Sequence, residues 1–196
     1  MGGSWERLAH VELSSTTATI STGTFTAKEN LRFVFYGIGN SSNQVPAMTF
    51  NNDTGSNYAR RQEDNGNSDE TQTSHASIKF NDKANTGIYI VGDITNKADK
   101  EKLLISEFMS GNTAGAGNAP NRMEVIGKWA NTSDQITRID IGLGTSDWAS
   151  GSYITVLGAS GDVVSDTTPD GTIWEESDTG KHYIWNATSD SWTEIS

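Results

Sequence analysis

The chain has 196 residues, 34% hydrophobic and 20% charged, with 14 Lys and Arg against 25 Asp and Glu and a formal net charge of -11. That length allows one cored domain, or one domain with a small appendix, and the acidic balance excludes a basic nucleic-acid-binding surface for the chain as a whole. The sequence holds no cysteine, which removes disulfides, thiolate nucleophiles and Cys-based zinc sites together.

No run approaches the roughly 20 apolar residues of a membrane-spanning helix. The N-terminal residues lead straight into polar sequence, so the expectation is a soluble protein with no membrane insertion. Short alternating apolar runs separated by Gly, Asn, Asp, Ser and Thr predict antiparallel β-structure. In chain order they are Trp5–Leu13, Thr17–Ser21, Leu31–Ile38, Ala47–Asn51, Ser74–Phe80, Ile88–Ile94, Lys102–Met109, Met123–Trp129, Ile136–Leu143 and Tyr153–Leu157. Leu31–Ile38 is apolar at nearly every position and reads as a central strand. The only helical signal is one turn at Lys97–Glu101. About ten strands at this spacing predict an all-β fold, an antiparallel two-sheet sandwich of jelly-roll type over residues 1–160.

Residues 161–196 differ in composition. They hold eight acids against the single base Lys181, and three of the six tryptophans. Following the polar run Ser165–Gly171, the segments Thr172–Glu176, Lys181–Asn186 and Trp192–Ile195 predict a small three-stranded meander, with Gly180 in the first turn. Alternation places Trp174 on one face of its strand, and Tyr183 and Trp185 together on one face of the next. A free meander of this size is marginal in water. Trp174, Tyr183, Trp185 and Trp192 are therefore candidate contact residues, toward either the main domain, another copy or another protein.

Two polar loops interrupt the strands. Asn52–Thr73 contains Tyr58, Arg60 and Arg61, an amphipathic ring beside guanidinium donors that could meet a sugar or a protein, or else a solvated loop whose arginines pair with Glu63, Asp64 and Asp69. Trp148 and Trp129 are further candidates for stacking on a glycan. The second loop, Asn112–Arg122, is rich in Gly and Ala but lacks the Lys-Ser or Lys-Thr and the following helix of a phosphate loop. Asn51, Asn52, Asp53 and Asn57 offer hard oxygen atoms to calcium at a spacing unlike that of the known calcium loop.

The chemistry of catalysis is thinly represented, and no enzyme activity and no cofactor are expected. His10, His75 and His182 each fall inside a predicted strand, and neither a paired-His metal motif nor a nucleophile elbow occurs. Glu107, Glu124, Asp93 and Asp140 are the acids a glycosidase would need in pairs; their spacing reads more simply as solvent-facing strand positions.

The runs Phe50–Ala59 (FNNDTGSNYA), Asn112–Arg122 (NTAGAGNAPNR), Gly127–Ile139 (GKWANTSDQITRI) and Ser150–Gly158 (SGSYITVLG) resemble segments of virion structural proteins of tailed bacteriophages, especially marine and cyanobacterial ones. Asp170–Trp185 (DGTIWEESDTGKHYIW) resembles a short β-module appended to many phage structural proteins. The resemblance implies a viral β-sandwich displayed on a particle as a capsid decoration protein, a head fibre or a tail-fibre domain, assembled in the host cytoplasm and located in the virion. It implies capsid or other virion proteins as partners, a homo-oligomer such as a trimer, and a host-surface glycan in the tail-fibre case. It brings no catalytic or ligand residues with it.

Overall fold

The computed structural model describes residues 5–39, 44–80, 87–111, 113–160, 170–186, 188–189 and 191–195. Asn112, Ser165–Pro169 and Ala187, named above, lie outside them. Two compact units result, Trp5–Gly161 and the C-terminal Asp162–Ser196. All regular structure among the described residues is antiparallel β-strand.

The larger unit contains β1 (Glu6–Glu12), β2 (Thr19–Ser21), β3 (Asn30–Ile38), β4 (Ala47–Phe50), β5 (Tyr58–Asp64), β6 (Glu70–His75), β7 (Ile78–Lys79), β8 (Gly87–Thr95), β9 (Lys102–Ser110), β10 (Asn121–Trp129), β11 (Ile139–Gly142) and β12 (Tyr153–Ala159). An eight-stranded sheet runs β1-β12-β3-β8-β9-β10-β5-β6, and a four-stranded sheet runs β2-β11-β4-β7. Their facing sides share one core, with Phe33, Phe35, Ile90, Phe108, Val125 and Ile154 from the larger sheet and Ile20, Met48, Phe50, Ile78 and Ile141 from the smaller. β3 shows why the alternation works: Leu31, Phe33 and Phe35 are buried while Arg32 between them is exposed, as the two-residue period of a strand requires.

Two expectations are corrected. Asn52–Thr73 is not one long loop but contains β5 and most of β6, because the inward positions of β5 are Tyr58, Arg60 and Gln62, whose polarity hides the strand period. Ser74–Phe80 is not one strand either. β6 ends at His75, just after Ser74 bends the run with a left-handed backbone, φ 53°, and β7 starts only at Ile78. At Lys97–Glu101 the chain makes a turn closed from the Lys100 amide to the Lys97 carbonyl. The buried Lys102 pins it, its Nζ donating to the carbonyls of Lys100 at 2.7 Å and Asn131 at 3.0 Å.

Trp148 closes one end of the sandwich. Its backbone bridges Thr17 and Gly39, its indole N–H donates to the Ile141 carbonyl at 2.9 Å, and its ring meets Phe35 edge-on at 4.9 Å. Gly37 makes this packing possible, since a Cβ there would lie 2.6 Å from both rings. Gly37→Ala is expected to destabilise the protein by about 1–3 kcal/mol, read as a lower urea midpoint with an unchanged slope.

The C-terminal unit is a three-stranded meander of β13 (Ile173–Glu176), β14 (Lys181–Asn186) and β15 (Ser191–Ile195). Gly180, with φ 68°, supplies the left-handed residue of the β13–β14 turn.

Candidate functional site

Register decides what the C-terminal meander displays. Trp174 of β13 lies opposite Tyr183 of β14, and Trp185 of β14 opposite Trp192 of β15, so all four rings share one face. They touch in series: Trp174 to Tyr183 at 5.3 Å, Trp174 to Trp192 at 6.4 Å and Trp192 to Trp185 at 5.3 Å between centroids. Lys181 and Glu194 form an ion pair at 3.0 Å on the same face. Trp174 is 50% and Trp192 41% exposed, so the cluster is a continuous aromatic platform with an ionic margin. The sequence named all four residues; the strand register brings them together.

The glycan candidates in the larger unit sit differently. Tyr58 is 1%, Arg60 4%, Trp129 1% and Trp148 0% exposed, so a sugar ring cannot reach any of them, and the expectation that they present a recognition patch is corrected. Tyr58 and Trp129 are core residues, stacked at 6.5 Å. Arg60 turns inward to donate to Gln72 Oε1 at 3.0 Å and Glu70 Oε1 at 3.3 Å. Arg61 alone reaches solvent, paired with Asp69 at 3.1 Å.

Of the side chains considered for calcium, Asp53 and Asn51 already accept from N–H donors. Asp53 Oδ2 accepts from the Trp129 indole at 2.6 Å and the Asn57 amide at 2.9 Å, and its Oδ1 accepts from the Gly55 amide at 2.8 Å. Asn51 Oδ1 accepts from the backbone amides of Thr137 and Arg138. The arrangement staples the β4–β5 connection to β10 and to the segment before β11. Burial pushes the Asp53 carboxyl up, yet the Trp129, Asn57 and Gly55 donors together hold it below the ordinary carboxylate range. A depressed folded-state pKa contributes stability above the unfolded value, which is lost as pH falls through the folded one. Asp53→Asn is therefore expected to be less stable at neutral pH and to lose less stability than wild type below about pH 4, measured as melting temperature against pH.

Of the four acids weighed for catalysis, Asp140 is buried and held by Arg138 at 2.9 Å, and Asp93 is gripped by both Arg32 Nε and Nη2 at 2.8 Å. Glu107 and Glu124 lie directly opposite each other on β9 and β10, with Glu63 of β5 next in the same row. This row faces outward from the eight-stranded sheet.

That outer face holds a feature the sequence did not single out. A depression of about 530 Å³ is lined by Trp5, Arg32, Asp93, Leu103, Ile105 and Ile126. Arg32 stacks over the Trp5 ring at 5.7 Å, while Leu103 is 53% and Ile105 52% exposed. The signal was present in β9, where Leu103, Leu104 and Ile105 put apolar side chains on both faces of a strand that only one sheet covers. The chain matches no protein-family model, no curated protein and no solved structure.

Proposed function

We propose that this protein is a non-enzymatic structural component of a tailed-phage virion, a capsid decoration or head-fibre protein attached to the particle surface. The observation that carries the reading is the aromatic platform of Trp174, Tyr183, Trp185 and Trp192, since exposed clustered aromatics of this kind anchor protein interfaces. The likeness of Asp170–Trp185 to modules appended to phage structural proteins supports it. So does strand order. The order β1-β12-β3-β8 opposed to β2-β11-β4-β7 fits a jelly roll, with β9, β10, β5 and β6 as an extension of one sheet. Jelly rolls are recurrent in viral capsids, and an oligomer on the particle fits such a fold.

The alternative, a tail-fibre domain that binds a host glycan, draws on the same platform, because Trp rings stack on sugars as well as on proteins. Co-sedimentation of the protein with purified particles separates the two. Retention on particles together with silence on a glycan array supports decoration; glycan binding without particle retention replaces it.

A further inference from the structure

We propose that a second copy of this chain packs face to face on the outer surface of the eight-stranded sheet, about a two-fold axis that crosses the strands at Ile126. The face is large enough. Eight strands of six to nine residues, spaced about 4.8 Å apart and rising about 3.3 Å per residue, give roughly 1,000 Å² in projection, against the ~800 Å² per partner of a standard interface. Its centre is apolar, with Leu103, Ile105 and Ile126 exposed side by side where Ile105 faces Ile126 across β9 and β10.

Charge selects the occupant. The outward positions of β10 read Glu124, Ile126, Lys128, acid, apolar, base, and a two-fold axis at Ile126 exchanges the ends. Lys128 then meets Glu124 of the second copy, with Glu107 of that copy beside it in the same row. Within one chain Glu107 and Glu124 oppose each other across a strand pair, an arrangement that costs stability and that an incoming ammonium relieves. Lys128 is held by Glu101 at 2.9 Å, with both side chains about two-fifths exposed, and such an exposed pair gives way readily. Long-range repulsion between two chains of net charge -11 comes mostly from residues 161–196, since residues 1–160 carry 17 acids against 13 bases, and salt screens it. This two-fold pairing is independent of the particle-binding role and replaces the trimer expected from sequence.

Sedimentation equilibrium of the full chain tests the proposal. Wild type is expected to reach twice the 21.1 kDa of one chain with rising concentration. Ile126→Asp, and separately Ile105→Ser, the two residues that the axis sets against their own copies, are expected to hold it at one chain mass with an unchanged circular dichroism spectrum. Lys128→Glu and Glu124→Lys are each expected to weaken the dimer by about tenfold or more, and the two together to restore it, since the swap preserves self-complementarity. A single-chain or three-chain mass for wild type overturns the proposal. So does a dimer indifferent to both apolar variants, or a double variant as weak as either single one.

Discussion

Trp129→Ala is expected to cost about 4 kcal/mol of folding stability, read from urea denaturation, which is a large share of the 5–15 kcal/mol a domain of this kind possesses. Two losses combine. The ring is 1% exposed and packs against Phe50 at 5.9 Å and Tyr58 at 6.5 Å, so alanine leaves a cavity at the end of β10 that the neighbouring strands cannot collapse into. The indole N–H also disappears from Asp53, whose Oδ2 it meets at 2.6 Å, leaving a carboxylate that burial penalises with fewer donors. Trp129→Phe separates the two effects, keeping most of the ring and removing the donor, and is expected to cost about 1–2 kcal/mol. If Trp129→Phe were as damaging as Trp129→Ala, the loss would lie in the donor and not in packing. If it were neutral, Asp53 would not depend on the indole.

The same cluster shows what the sequence could and could not convey. β3, β8 and β12 are legible because their inward residues are mostly apolar and β-branched or aromatic residues such as Val34, Tyr36, Tyr89, Val91 and Tyr153 fill many outward positions, so propensity and length mark the strand even where the alternation is weak. β5 has the same geometry with Tyr58, Arg60 and Gln62 on its inner side, so a reading by hydropathy sees a polar loop. Tyr58 and Trp148 look like binding residues in sequence for a related reason. Each is an aromatic set among Asn, Ser, Asp and Gly, and only the fold reveals that the polar neighbours form turns over a ring that is inside.

Register is the other hidden quantity. Glu124, Ile126 and Lys128 are visible as outward strand positions, yet nothing local sets Glu107 against Glu124, because the ten residues between β9 and β10 would tolerate a slip of the hairpin. It is packing of Phe108 and Val125 into the core that holds the register, and with it the charge order of the outer face. In the C-terminal meander the sequence carried more, since alternation alone put Tyr183 and Trp185 on one side. The pairing of β14 with β13 and β15 then added Trp174 and Trp192 to that side.

Deleting residues 161–196 is expected to abolish particle binding while residues 1–160 keep an almost unchanged melting temperature. The physical basis is that the sandwich completes its core from its own strands, whereas the meander is too small to bury rings on its own account. Its aromatic face leaves Trp174 half exposed, and its other face exposes Ile173 and Ile195, so apolar area is available on both sides of a single thin sheet. Trp185, beside Trp192 at 5.3 Å, lies toward the end of the middle strand and is the more covered ring of that pair. Trp185→Ala alone is expected to weaken particle association by about 2 kcal/mol or more, roughly thirtyfold in affinity. Charge should matter less to the bound state than to its approach: the eight acids of this segment would steer it toward a basic partner surface, so raising ionic strength is expected to slow association more than it speeds dissociation. A deletion that unfolds residues 1–160 would make the meander part of the sandwich core. A deletion that leaves both stability and particle binding intact would move attachment to the sandwich itself, where the free edges β1 and β6 and the outer sheet face are the surfaces left to carry it.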